Sequence, residues 1–240
     1  HAAFHFDQTA KTLTTTAGMI QTHLLLHPGE EIRSPRVLML NWTCDNWQDS
    51  QNIWRRLILA HYSPQEKTGG PVIGPTLFGS WGAESIEKKF FLIKMVHDHQ
   101  IPYDVHAMDA GWYGHSEGDG DGGPNPWWAN RGDWFPNPVN YPHGIKPLGD
   151  ALKAAGLGFS LWVEPETSQP GKQIITQHPD WFLHVPNAIN NGAALCNLGN
   201  PEALKGITAM VSGFITDFGM TWYRQDFNID PLSYWRAADA

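Results

Sequence analysis

Asp226 closes a strand-like run, Thr221-Trp222-Tyr223-Arg224-Gln225-Asp226, and is followed by Phe227 and Asn228. Three further acids end similar runs: Asp109 after 105–108, and Glu164 and Glu166 after 159–163. A carboxylate in such a place is costly to bury unless it binds a charge, accepts hydrogen bonds or reacts. Arg224 lies two residues before Asp226 and so on the same face of an extended strand. A guanidinium there favours the ionised carboxylate, which is the form a nucleophile requires.

Other chemistries find less support. A metal reading needs histidines beside these acids, and His106, three residues before Asp109, is the nearest. Octahedral oxygen sites usually group several carboxylates along one loop. Asp119 and Asp121 stand in a Gly-rich stretch of calcium-loop composition, but no acid closes it and it reads as a solvated turn. Cys44 and Cys196 lack zinc-type spacing and read as two packed thiols. Lys172, the lysine nearest to serving as the base of a lyase or isomerase, sits beyond a Pro-Gly loop start rather than at a strand end. Neither a metal nor a cofactor is expected.

Positioning those acids takes alternating strands and helices. Strands are expected at 76–81, 105–108, 159–163 and 223–226. The helix at 84–99 places Ile86, Phe90, Ile93 and Val96 on one face, and the helix at 145–155 closes at Gly156. The clearest helix opens with Asn200 as N-cap and Pro201 at its first position, carries Leu204, Ile207, Val211, Phe214 and Phe218 on one face, and stops at Gly219. Alternation at this spacing means parallel strands with crossover helices, an α/β fold. Pattern alone admits both a doubly wound sheet and a (β/α)8 barrel. In either, side chains just past the strand ends line the site: Trp81, Asp109, Trp162 to Glu166, and Asp226. No G-x-G-x-x-G opens a helix after the first strand, which argues against dinucleotide binding.

Upstream, residues 1–75 read as short antiparallel strands at 9–16, 23–26 and 36–40, with one helix at 47–61 carrying Ile53, Leu57, Ile58 and His61. Gly69-Gly70-Pro71 and Gly74-Pro75 mark a boundary, giving domains at 1–75 and 76–240.

Composition bounds the partners. With 16 Lys+Arg against 24 Asp+Glu the formal charge is −8, and no basic stripe forms, so nucleic acid is excluded as a partner. No run approaches the roughly 18–20 apolar residues that cross a bilayer. A soluble protein is expected; the chain opens on His1 rather than Met, which leaves cytoplasmic and exported locations both open. Twelve Trp, eleven Phe and six Tyr supply flat apolar faces for a core or for the C–H face of a pyranose.

Four motifs occur in order: Asp109-Ala110-Gly111-Trp112-Tyr113-Gly114, Gly132-Asp133-Trp134, Leu161-Trp162-Val163-Glu164-Pro165-Glu166, and Arg224-Gln225-Asp226-Phe227-Asn228. With His178-Pro179-Asp180-Trp181 and Asn200-Pro201-Glu202, they make the chain resemble glycoside hydrolase family 36, the α-galactosidases. The resemblance covers most of 76–240. It implies the first half, four strand–helix units, of a (β/α)8 TIM barrel, preceded by the tail of an N-terminal β-sandwich. It implies a retaining exo-α-glycosidase acting on terminal α-linked sugars, with Asp226 as nucleophile and Asp109, Trp162, Arg224, Asn228 and Trp81 binding an oligosaccharide or glycoside. Homo-oligomerisation is compatible with it.

The family's acid/base follows a Cys/Ser-Gly-Gly segment that nothing in this chain matches. Four units do not close an eight-stranded barrel, so the chain reads as truncated, or completed by a partner, and as inactive alone. The family has two adjacent acids where this chain has Asp109-Ala110, a Lys where it has Arg224, and a Trp where it has Gln225. These departures leave α-N-acetylgalactosaminidase, another α-glycosidase, or an inactive carbohydrate-binding relative as alternatives.

Overall fold

The computed structural model describes residues 2–19, 24–43, 45–65, 69–70, 72–117, 123–185 and 192–238. The chain divides into two units, 1–73 and 74–240.

In the first unit, β1 (Ala2–Asp7) and β2 (Thr12–Ala17) form an antiparallel hairpin with Ala2 opposite Ala17 and Asp7 opposite Thr12. The strand expected across 9–16 therefore begins only at Thr12. The Asp7 carboxylate accepts from the backbone N–H groups of Thr9 and Ala10 at 2.8 and 2.9 Å, an Asx turn that diverts the chain before Lys11 enters the left-handed region at φ 55°. Residues 24–26 and 36–40 are irregular rather than extended, and residue 23 lies outside those described. A strand needs a partner ladder, and among the described residues none runs beside either segment. α1 (Trp47–His61) forms as expected, capped by Asn46, whose side chain accepts from the Gln48 N–H.

The second unit contains a four-stranded, all-parallel sheet in the order β3 (Leu77–Ser80), β4 (Val105–Met108), β5 (Gly158–Val163), β9 (Trp222–Gln225). Its crossovers carry α2 (Ile86–Asp98), α3 (Lys146–Ala154) and α5 (Pro201–Phe218). Asn200 and Pro201 open α5, the Asn200 side chain accepting from the Glu202 N–H at 3.0 Å. Gly219 ends the helix at φ 71°, a conformation costly for any residue with a Cβ. α3 passes so close to the end of α5 that a Cβ on Gly149 would lie 1.9 Å from the Phe218 carbonyl oxygen.

Two helix faces differ from the pattern. On α2, Ile86 and Val96 are buried, but Phe90 is 38% exposed and Lys89 takes the interior place. Its ammonium donates to the Trp81 carbonyl oxygen and to Glu84, so a buried cation is satisfied where an apolar side chain was expected. On α5, Ala203 and Ile207 are buried while Leu204 points outward.

The β5–α5 connection holds structure that the sequence pattern did not announce. β6 (Thr167–Ser168), α4 (Gln173–Gln177), β7 (Phe182–Leu183) and β8 (Ala194–Cys196) occur there, and the strands form a small antiparallel sheet in the order β6-β8-β7. A last helix, α6 (Leu232–Ala238), follows β9.

Strand alternation sorts the parallel sheet into two faces. Met108, Phe159, Leu161 and Val163 alternate onto one and share a core with Ile145, Leu148 and Leu152, and with Phe214 and Phe218. Ala107, Ser160, Trp162 and Arg224 occupy the other, in register across β4, β5 and β9. Continuing that alternation past the strand ends brings Asp109, Glu164 and Asp226 to one end of one face.

Candidate functional site

Asp226 stands directly after β9 and is half-buried, its backbone N–H donating to the Val163 carbonyl at 2.9 Å. Its Oδ2 accepts from the Trp162 indole N–H at 2.8 Å and from the Asn228 amide at 3.0 Å, while Oδ1 accepts from the Phe227 backbone N–H at 2.9 Å. Burial alone would push this carboxyl up. The donors Trp162, Asn228 and Phe227, with the field of Arg224 behind them, outweigh burial and hold it below its usual range.

Arg224 is thus the smallest of those influences rather than the chief one expected from its spacing. Its Nη1 lies 3.3 Å from Asp109 Oδ2, in a pair whose side chains are 46% and 37% exposed. The second oxygen of Asp109 accepts from the Ala110 N–H at 2.8 Å. Ala110 itself is buried in the core.

Trp162 occupies a different position from the open aromatic wall expected of it. Only 1% of it is exposed. Its ring stacks on Tyr113 with centroids 6.0 Å apart and 10° between planes, and meets the edge of Trp127 at 5.3 Å. The Trp112 indole N–H holds the Trp162 carbonyl at 2.8 Å. What Trp162 offers the site is its N–H. Trp81, at the end of β3, is 37% exposed and is anchored through its carbonyl by Lys89.

Glu164 is completely buried and holds four donors. Arg131 Nη1 reaches Oε1 at 2.6 Å, the Thr167 hydroxyl reaches it at 2.9 Å and the Asn228 N–H at 3.1 Å; the Asn228 amide reaches Oε2 at 2.9 Å. Arg131 comes from the long β4–α3 loop, is 3% exposed, and lies over the Trp127 ring at 5.8 Å. Glu166 takes a hydrogen bond from the Gln225 amide, whose oxygen accepts from the Tyr223 hydroxyl at 3.0 Å. Burial and the nearby Glu166 push that phenol up to about 12.

The structure therefore groups Asp226, Trp162 and Asn228 by direct hydrogen bonds, and Asp109 with Arg224 beside them. It also brings in Arg131, which sequence reasoning did not name, and Trp112 and Tyr113, which it named only as part of a motif. Arg131 did carry a signal, as the one Lys or Arg between Lys94 and Lys146.

His106 takes no part in the site. It lies on the opposite face, its Nε2 3.1 Å from the Ser80 hydroxyl, with burial and then Lys89 pulling it down to about 4. The Cys196 thiol is buried and pushed up to about 12, first by burial and then by Glu166. Cys44, Asp119 and Asp121 lie outside the described residues. Among the described residues no group of three or more His, Cys, Asp or Glu is arranged to hold a metal, and no helix is long and apolar enough to cross a membrane.

A parallel α/β sheet whose strand ends converge on a half-buried carboxylate, ringed by donors, defines the class of protein. Its family follows from comparison. The melibiase family model matches residues 48–232, and the chain belongs to that family, the α-galactosidases of glycoside hydrolase family 36. It is 26% identical to the probable α-galactosidase G of Emericella nidulans, an alignment covering 92% of this chain and 31% of that protein. It is also 26% identical to α-galactosidase AgaA of Geobacillus stearothermophilus, over 85% of this chain and 27% of that protein. The crystal structure of an AgaA variant in complex with stachyose matches with a TM-score of 0.52 at 25% identity, over 69% of this chain and 24% of that one. The chain thus spans about three-tenths of the length of these curated relatives.

Proposed function

We propose that these residues belong to a retaining, exo-acting glycoside hydrolase that releases terminal α-linked galactose from oligosaccharides, with Asp226 as its nucleophile. The observation that carries this reading is the setting of the Asp226 carboxylate, fixed at the end of a parallel strand by three donors that hold it below its usual range. Oδ2 carries two of those donors and Oδ1 one, so Oδ1 keeps the freer lone pair and is the attacking atom. It bonds to the anomeric carbon as the glycosidic bond breaks and the leaving oxygen takes a proton. Water then attacks the glycosyl ester, and two inversions return the original anomer.

That cycle needs a second carboxyl roughly 5 Å from the first. The acids already at this sheet end are committed, Asp109 to Arg224, Glu164 to Arg131 and Asn228, and Glu166 to Gln225. In this reading the proton donor comes from a segment outside these 240 residues, in keeping with the three-tenths of its relatives' length that the chain spans. In this reading 76–240 supply the first four strand–helix units of a (β/α)8 barrel, and 1–75 the end of a β-sandwich. Asp109 and Arg224, both partly exposed, hydrogen-bond the sugar hydroxyls, and the open Trp81 lies against its apolar side. The isolated 240 residues turn over no glycoside.

Proton NMR of early products from an aryl α-galactoside, with the complete protein, tests the mechanism. Retention predicts the α-anomer first; initial release of the β-anomer would overturn it. One feature favours a second sugar. Ala110 is buried in the core where the family carries an acid, and Gln225 is tied to Glu166. An α-N-acetylgalactosaminide cleaved faster than the galactoside, in a panel of nitrophenyl α-glycosides, would select that reading.

A further inference from the structure

One amide joins two strand ends. The Asn228 Nδ2 group donates one hydrogen to Glu164 Oε2 at 2.9 Å and the other to Asp226 Oδ2 at 3.0 Å, while the Asn228 backbone N–H donates to Glu164 Oε1 at 3.1 Å. Two contacts to one carboxylate fix the residue at its backbone and at its tip, so the amide cannot rotate away from Asp226. Which way that amide points is set by Glu164, because a carboxylate only accepts and so demands the NH2 end.

This arrangement brings two anions to either side of one amide group. Unopposed, the charge of Glu164 would disfavour ionisation of Asp226. The Arg131 guanidinium opposes it: Nη1 sits 2.6 Å from Glu164 Oε1, both side chains are buried, and Arg131 is itself held by its Nε donating to the Trp128 carbonyl at 3.2 Å. Charges excluded from water interact more strongly than the exposed Arg224–Asp109 pair nearby.

We propose that Arg131 and Glu164 are positioning residues for the nucleophile, acting as a relay in which Arg131 neutralises Glu164, Glu164 orients the Asn228 amide, and the amide holds Asp226. The proposal rests on Asp226 being the nucleophile. Arg131 and Glu164 touch no substrate in this scheme; they set the charge and geometry of a group that does. Of the charged and titratable groups, Arg224 on its own strand acts directly on Asp226; Asp109 pairs with Arg224, Glu164 reaches Asp226 through Asn228, Arg131 pairs with Glu164, Glu166 is held by Gln225, and the buried Tyr113 hydroxyl lies in the field of Arg131, Glu164 and Asp109.

The test uses the complete protein in three forms: wild type, Arg131→Met and Arg131→Lys. Each is labelled with a fluorinated glycosyl fluoride that traps the glycosyl-enzyme, and the labelling rate is followed from pH 3 to 8. The acid limb of that profile reports the nucleophile's ionisation. Arg131→Met leaves Glu164 uncompensated, and the limb moves to higher pH by about one unit. Arg131→Lys restores the charge and returns the limb towards wild type, even where its thermal stability falls with the lost contact to the Trp128 carbonyl. A purely structural Arg131 would lower stability in both variants and leave the limb in place, and that result overturns the relay. Failure of the wild type to label at Asp226 would overturn the nucleophile assignment and the relay with it. Labelling at Asp226 with an unmoved limb in Arg131→Met would overturn the relay alone.

Discussion

The ends of β5 and β9 each present a carboxylate on the same face of the same sheet, and the two are treated differently. Glu164 is fully buried and takes four donors including a buried guanidinium. Asp226 takes three donors, only one of them at Oδ1, and is half-buried. Both acids are kept where acids are costly, but only Asp226 is partly accessible. Position at a strand end therefore does not by itself mark the reacting group. The distinction lies in burial and in the buried guanidinium that only Glu164 receives.

Breaking that distinction at its reactive side has the largest expected effect. Asp226→Asn in the complete protein keeps the fold and the size of the side chain and lowers kcat by about 10⁴-fold or more, measured with an aryl α-galactoside. Activity within tenfold of wild type would mean that Asp226 is no more reactive than Glu164. At the other strand end the loss is one of stability. Glu164→Ala strands the Arg131 guanidinium in the interior, which costs about 3–5 kcal/mol, read from denaturant unfolding; a change under about 1 kcal/mol would place that pair in water.

Smaller effects sharpen the comparison. Gly149→Ala forces a methyl against the Phe218 carbonyl and separates α3 from α5, for about 1–3 kcal/mol of stability, with the strand-end chemistry untouched. Trp162→Phe removes a donor from Asp226. The native carboxyl is held low, so activity is present above its pKa and is lost as pH falls through it. Taking the donor away raises that pKa and moves the acid limb of kcat/KM to higher pH by up to about one unit. Arg224→Ala disturbs only an exposed pair, so stability changes by less than about 1 kcal/mol, while KM for galactosides rises. A stability loss as large as that of Glu164→Ala would show that exposure does not separate the two ion pairs.

Much of the sheet was legible because its signals are local. Asn200, Pro201 and Gly219 bound α5 by capping chemistry, and the runs before Asp109, Glu164 and Asp226 form strands within a residue or two of their expected limits. The four acids were legible for the same reason, since each stands at or just past the end of a strand-like run. Partnerships were not. Arg131 meets Glu164 across 33 residues and Trp162 meets Asp226 across 64, and no periodicity encodes such pairs. Spacing put Arg224 on the face of Asp226 correctly, yet could not show that Asp109, from another strand, would take the guanidinium. In the first unit, strands expected from alternation alone failed at 36–40, where among the described residues no neighbouring strand supplies a ladder.

In the proposed mechanism Asp226 forms the covalent bond to the sugar. Incubating the complete protein with a fluorinated α-galactosyl fluoride, digesting it and sequencing the modified peptide by mass spectrometry tests this directly. One hexosyl unit on Asp226, absent in Asp226→Asn, is the expected result. A label on another carboxylate, or steady turnover of galactosides with no trapped adduct on Asp226, would contradict it.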